Sequence, residues 1–348
     1  MKKPADKTLI IMSGILGISL ASLGMKKLRK TFFSPQQQLK GKKILITGGS
    51  RGLGFALAEQ FAKNGASVFI CARNPKTLEV AREKLLKYGT EIITFPCDLS
   101  KLDQVEKMIQ NVISHFKSID VLVNNAGVME VGPLEEFDLK KIQEVIDINL
   151  LGMIRVTLGL LSHLKKGARI INITSIGGVV AVPHLLAYTV SKFGALGFSL
   201  GLDAELAKYG ITVTSVIPGL MRTGSFVHAF FLGKSKNEFN WFSLGANLPL
   251  LSISAHSAAE KIIHTSLIRK RYVVLGPQAK ALRLFYQLFP NWMLGGMRIM
   301  NRLLPKVPST ITHESTEGVH LRQNLIKGGK ITLLGDQAGD ELNENIAA

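Results

Sequence analysis

The sequence predicts an α/β fold with a doubly wound parallel sheet, and three observations carry that expectation. From residue 42 onward, short apolar runs alternate with helical stretches. The runs are apolar on both faces, as strands covered by helices on each side must be. A glycine-rich turn at 47–54 follows the first run and opens the first helix, which is how a strand is joined to a phosphate-binding helix. With 348 residues, 46% hydrophobic and 20% charged, the chain can bury a large core and is too apolar to be disordered throughout.

Taken in order, strands are expected at 43–47, 67–71, 91–96, 120–123, 169–173, 212–217 and 272–275. Helices are expected between them at 53–64, 76–88, 102–116, 139–164, 187–209 and 257–270. Residues 226–253 break the rhythm as an irregular, glycine-punctuated insertion with Phe226, Phe230, Phe231, Phe239, Trp241 and Phe242. Residues 279–304 mix apolar with basic side chains and are divided by Pro290 into two short helices. Four units follow: an N-terminal anchor at 1–30, an α/β domain at 40–276, an amphipathic helical extension at 277–308 and a poorly packed polar tail at 309–348.

Residues 8–25 are an uncharged run, followed at once by Lys26, Lys27, Arg29 and Lys30. As a helix the run is ~27 Å long, against a hydrocarbon core of ~30 Å. Its length, the basic residues after it and the want of a clear cleavage site favour a retained transmembrane anchor over a signal peptide. Basic residues also precede it, so the positive-inside bias places the body on the cytoplasmic side only modestly. The formal net charge is +18, and residues 1–43 hold ten Lys/Arg against Asp6 alone. An excess crowded around an apolar segment fits membrane lipid rather than nucleic acid. Cys71 and Cys97 make no disulfide framework. The eight histidines show no ligand spacing, so no metal is expected. Asn172-Ile173-Thr174 spells a glycosylation site but falls in a strand expected to be buried.

Tyr188 and Lys192 stand four apart on a predicted helix and share a face. Bringing a phenol from ~10 to neutrality needs roughly 4 kcal/mol. A cation at ~4 Å with an effective dielectric of ~20 supplies about that. An ordinary helix-surface pair would have the same spacing; the weight comes from Ser175 thirteen residues upstream, at the end of a strand, and from the glycine turn. In that turn Gly48, Gly52 and Gly54 let the backbone approach a pyrophosphate, with Ser50, Arg51 and Leu53 between them. An acid at the end of the second strand would hold the ribose of NAD, but the sequence there reads Cys71-Ala72-Arg73. Arg73 and Arg51 are suited to a 2′-phosphate, which points to NADP(H).

The residues TGGSRGLG at 47–54, CDLS at 97–100, NNAG at 124–127, INLLG at 148–152, TSIGG at 174–178, YTVSK at 188–192 and PGLMRT at 218–223 appear in order. With them the chain resembles the short-chain dehydrogenase/reductase family, in a membrane-anchored form, over roughly 42–275. The resemblance implies a Rossmann fold with Tyr188 as general acid/base and Lys192 lowering its pKa while binding the nicotinamide ribose. It implies that Ser175 polarises the substrate carbonyl and Asn149 holds a proton-relay water. Asp98 and Leu99 would face the adenine, while Asn125, Ala126 and Gly127 line the cofactor. Pro218, Gly219 and Thr223 would close over the nicotinamide, with Thr223 on its carboxamide.

The resulting expectation is an NADP(H)-dependent oxidoreductase acting on a carbonyl or alcohol. The anchor and the aromatic insertion suggest a hydrophobic substrate: a steroid, a retinoid or a long-chain keto compound. The aromatics would equally serve as plain core or as a homodimer contact. A membrane-bound NADPH-binding scaffold or redox sensor without turnover is the competing class, and the full Ser/Tyr/Lys/Asn set argues against it.

Overall fold

The structure is a computed structural model that describes residues 35–247, 252–322 and 333–344. After a short helix, α1 (Pro35–Leu39), strands and helices alternate: β1 (Lys43–Thr47), α2 (Gly52–Lys63), β2 (Ser67–Ala72), α3 (Pro75–Leu86), β3 (Ile92–Pro96), α4 (Leu102–Phe116) and β4 (Ile119–Asn124). A two-residue strand, β5 (Glu130–Val131), precedes α5 (Leu139–Ile146), a π-helical turn (Asp147–Leu151) and α6 (Gly152–Leu160). Then come β6 (Leu164–Ile173), α7 (Leu186–Leu206), β7 (Thr212–Pro218), β8 (Leu220–Arg222), β9 (Phe230–Leu232), α8 (Ser235–Asn247), β10 (Ser252–Ser254), α9 (Ala255–Leu267) and β11 (Tyr272–Leu275). The last elements are α10 (Pro277–Leu288), α11 (Pro290–Leu303), β12 (Ser315–Glu317), α12 (Gly318–Arg322) and α13 (Leu333–Glu341).

Seven strands form one parallel sheet in the order β11-β7-β6-β4-β1-β2-β3. The order reverses between β1 and β4, so a crevice opens outside the carboxyl ends of these two strands. The strands are apolar throughout because each face meets its own helices. Ile44, Ile46, Val68, Ile70, Val121 and Val123 point to one cluster with α2 and α9. Leu45, Phe69, Cys71 and Leu122 point to the other with α4 and α6. A polar chain crosses the sheet between these layers. Asn124 donates to Asn172 (2.9 Å) and Thr157 (2.9 Å), Asn172 donates to Ser199 (3.0 Å), and Ser199 meets Ser215 (2.7 Å).

Three expectations need correction. The run 139–164 is not one α-helix, since a π-helical turn interrupts it and residue 164 already begins β6. The described residues of the 226–253 stretch form regular elements rather than an irregular insertion: they include α8, and β9 sits between β5 and β12 in a three-stranded sheet. Phe231 and Phe239 meet edge to face at 5.3 Å there, and such ring contacts fix a segment whose local pattern is weak. Two described parts of the polar tail from 309 are packed rather than loose. β12 pairs antiparallel with β9, and Leu342 is 1% exposed within the main core. Few apolar residues suffice, because each enters a cluster that already exists.

The anchor at 1–30 lies outside the described residues. Among the described residues one helical run, Leu139–His163, is long and apolar enough to cross a membrane. Its Val145, Met153, Val156 and Leu160 are buried against the rest of the chain, which accounts for their apolar character without a bilayer.

Two glycines test this packing in opposite directions. A Cβ on Gly54 would stand 2.0 Å from the Gly48 carbonyl oxygen, whereas Gly197 in α7 has open space around it. Gly54→Ala should therefore destabilise by about 1–3 kcal/mol or more. Gly197→Ala should stabilise by roughly 0.5–1 kcal/mol. Chemical denaturation midpoints of the two variants check the sign of each.

Candidate active site

The crevice at the carboxyl ends of the strands collects most of the residues singled out in the sequence. Thr47 ends β1 and ties the turn to β4: its hydroxyl accepts from the Asn125 (3.0 Å) and Ala126 (3.1 Å) amides and donates to the Val123 carbonyl (3.4 Å). The Asn125 side chain donates to the carbonyls of Thr47 and Gly48, both at 3.1 Å. The sequence places Thr47 at the head of the glycine turn but assigns its hydroxyl no role, although a hydroxyl at a strand end before such a turn is a readable signal. Gly48 has φ +64° and sits against Ala126, where a Cβ would stand 2.9 Å from the Ala126 Cα. Arg51, at the N-terminus of α2, supplies no side-chain cap, so the first turn keeps donors suited to an anion. These features fit the pyrophosphate of a dinucleotide.

Around the turn stand the other expected cofactor residues. Asp98 is braced by Ser100, whose amide (3.0 Å) and hydroxyl (2.8 Å) donate to its carboxylate, and Leu99 is buried beside it. Arg73 is exposed at the end of β2; burial lowers the Arg51 guanidinium below its ordinary value, and charge repulsion from Arg73 adds to this against the pull of Glu344. Gly219 donates to the Leu275 carbonyl (3.1 Å) after Pro218, and the Thr223 hydroxyl donates to Ser225 (2.6 Å). Residues from the far end of the chain also enter: the Gly52 amide donates to the Leu342 carbonyl (2.9 Å) and Asn343 donates to the Ser50 carbonyl (3.1 Å). Glu344 is 2% exposed, and burial pushes its carboxyl up to about 8 against the pull of Arg51. No sequence signal marked these three.

At the end of β6, Ser175 accepts from the Gly177 amide (3.0 Å) and hydrogen-bonds the Tyr188 phenol. Lys192 is 4% exposed and donates to the Ile173 carbonyl (3.2 Å), with its ammonium 5.7 Å from the centre of the Tyr188 ring. The buried Asn149 lies in the π-helical turn, a feature often found at functional positions. Its amide group donates to the Val128 carbonyl (2.9 Å) and Ser191 (3.0 Å), and its oxygen accepts from the Val128 amide (2.7 Å). Gly127 is where two of these side chains converge: a Cβ there would stand 3.2 Å from Asn149 Oδ1 and 3.5 Å from Lys192 Nζ. Serine, tyrosine, lysine and asparagine are therefore brought together from separate stretches of chain.

Residues 42–229 match the short chain dehydrogenase family. The chain belongs to this family. It is an oxidoreductase of the class acting on carbonyl and alcohol groups. A fatty acyl-CoA reductase of Acinetobacter baylyi is 35% identical over 202 residues, 57% of this chain and 68% of that protein. An NADPH-dependent aldehyde reductase 1, chloroplastic, of Arabidopsis thaliana is 34% identical over 213 residues, 59% of this chain and 74% of that protein. Among solved structures, the L-sorbose reductase of Gluconobacter frateurii complexed with NADPH and L-sorbose superposes with a TM-score of 0.61 at 26% identity, covering 68% of this chain and 95% of that one.

One family expectation meets a different balance here. Burial raises the Tyr188 phenol above its ordinary value, and the Ser175 hydrogen bond only opposes this. The Lys192 ammonium is engaged by a backbone carbonyl rather than by the phenol, and burial pushes it down to about 8. The pair thus holds a protonated tyrosine beside a lysine kept charged at a cost.

That cost has a measurable sign. Below pH 8 Lys192 is charged both folded and unfolded, and the burial penalty acts in full. Between about 8 and the ordinary value of 10.5 the folded protein sheds the proton and the penalty disappears. Lys192→Met should gain most against the parent at pH 7 and lose roughly 3 kcal/mol of that relative gain by pH 10.5. The lost bond to Ile173 shifts this curve without altering its slope. Urea denaturation of both proteins at several pH values checks it.

Proposed function

We propose that the chain is an NADP(H)-dependent reductase or dehydrogenase of a hydrophobic carbonyl compound, working at a membrane surface. The observation that carries this reading is the surroundings of Tyr188. One side of it faces Ser175 and Lys192, and the other packs into a cluster of Leu185, Phe226, Phe231, Phe239, Trp241 and Phe242. A substrate whose carbonyl reaches the tyrosine would lie beside the half-buried Trp241 and Phe242 at the edge of this cluster, whose Phe226, Phe231 and Phe239 are buried beneath.

The bound dinucleotide would supply or accept the hydride. Tyr188, with its pKa raised, holds a proton at neutral pH and is set up to donate it to the substrate oxygen in the reductive half of the reaction. Ser175 already accepts from Gly177 and can turn its own proton toward the same oxygen, stabilising charge that develops there. Lys192 keeps a positive charge beneath the site, and Asn149 fixes the Val128 backbone and Ser191 around it. Arg51 and Arg73 would share a 2′-phosphate, and the absence of an acid at the end of β2 is consistent with that choice. The sorbose reductase was solved in complex with NADPH, and the chloroplastic aldehyde reductase is named for its dependence on it; both support the same cofactor here. The name of the fatty acyl-CoA reductase supports a long apolar substrate.

For the membrane, the support is α10 and α11. Leu284, Leu288, Trp292, Ile299 and Leu303 are exposed, Trp292 at 78%, and no acidic residue lies between Pro277 and Leu303. Lys280, Arg298 and Arg302 flank the apolar residues, matching the charge of an anionic lipid surface.

The chemical reading is tested with NADPH and a panel of long-chain aldehydes and ketones. Tyr188→Phe should still bind NADPH while turnover falls by about 10²- to 10⁴-fold. Arg73→Ala should reduce the preference for NADPH over NADH by roughly tenfold, the share of one charge-assisted contact. Turnover by Tyr188→Phe within a few-fold of the parent would remove it from the reaction.

The membrane reading is tested on a chain lacking residues 1–30, which precede the first sheet strand. That protein should float with anionic liposomes, and Arg298→Glu with Arg302→Glu should release it. Failure of the truncated protein to float, with a change in oligomeric mass on double substitution, would assign the surface to a second subunit instead.

A further inference from the structure

The glycine turn that would hold the cofactor's phosphates is already in contact with another part of the same chain. After α13, Leu342 is buried in the main core and its carbonyl accepts from the Gly52 amide at 2.9 Å. Asn343 donates to the Ser50 carbonyl at 3.1 Å, and its own oxygen accepts from Lys84. The Glu344 carboxyl lies directly over Gly52: a Cβ on that glycine would stand 2.5 Å from Glu344 Oε1. Its other oxygen is 3.6 Å from Arg51 Nε and 3.3 Å from His228 Nε2. A carboxyl group from the chain thus rests on the turn, over its glycine and beside its arginine, in the space that an anionic group of the cofactor would need.

We propose that the 333–344 segment is an internal competitor of the dinucleotide, so that cofactor binding requires residues 342–344 to leave the turn. The proposal rests on the reading of the turn and Arg51 as the cofactor's phosphate site. The seated state is finely balanced. Leu342 gains by leaving water. Glu344, however, is buried with its Oε2 making no hydrogen bond, and such a group costs free energy for as long as it stays there. A ligand that brings its own well-matched anion can tip that balance. The apparent affinity for NADPH is then reduced by the fraction of molecules in which the turn is free.

The experiment is NADPH titration of the full chain by calorimetry, alongside hydrogen exchange of residues 338–344. The parent is compared with Leu342→Asp, which removes the core anchor, and with Asn343→Ala, a milder change that keeps the core intact. Both variants should bind NADPH more tightly, Leu342→Asp by about tenfold. In the parent, saturating NADPH should strip protection from the Leu342 and Glu344 amides, which bond to the Ala338 and Gly339 carbonyls in the seated state. Unchanged affinity with protection retained overturns the proposal and leaves the cofactor reading intact. Weaker binding by the variants also overturns it, making the segment a clamp over the cofactor. Binding of neither NADPH nor NADH by any of the three proteins overturns both readings together.

Discussion

Burying one ammonium group with no carboxylate to answer it is the constraint around which this site is built. Desolvation alone shifts Lys192, and its one hydrogen bond goes to the last carbonyl of β6. That geometry demands that α7 lie close across the strand end. It does so because Gly178 allows it: a Cβ there would stand 2.5 Å from the Lys192 carbonyl oxygen. The same approach brings Tyr188 under Ser175 and leaves little room for a side chain at Gly127, between Asn149 and the lysine. Catalytic proximity here is a by-product of packing small residues around a charge.

The sheet was legible because its signals are local. Apolar runs of strand length, a glycine turn at the first of them and a hydroxyl–tyrosine–lysine spacing are all written in neighbouring residues. What stayed hidden depends on distant partners. Asn149 is named through the family resemblance, but the π-helical turn that carries it stayed hidden, since such a turn leaves no mark in a 3.6-residue pattern. Asn343 and Glu344 read as tail because polar residues near a chain's end are usually solvated, and only their contacts with Ser50, Gly52 and Lys84 show otherwise. The expected pull of Lys192 on Tyr188 assumed a charge free to act on the phenol. The structure gives that charge to a carbonyl, and desolvation then decides the sign.

Beyond Tyr188, rigidity comes from a single buried cluster. His184, at φ 63°, meets both carboxylate oxygens of Glu238 at 2.9 and 3.0 Å. The Trp241 ring nitrogen donates to the same carboxylate at 2.7 Å. The loop between Ser175 and Tyr188 is thereby joined to α8, which carries most of the aromatic wall. The loop before Tyr188 and the aromatic cluster are one mechanical piece, so a change of a residue in that cluster will be felt at the tyrosine.

The chain of side-chain bonds through Asn124, Asn172, Ser199 and Ser215 bears on how faithfully this arrangement is reached. Asn172 is three residues before Ser175, and Ser199 is two helical turns beyond Lys192, on the same side of α7. Sliding any one of these strands by a single residue would turn its polar partner to the opposite face and strand several buried amides and hydroxyls at once. Misalignment is therefore all-or-none rather than graded. The population of folded molecules should divide cleanly into those with every reacting group in place and those with none, with no partly aligned species between them.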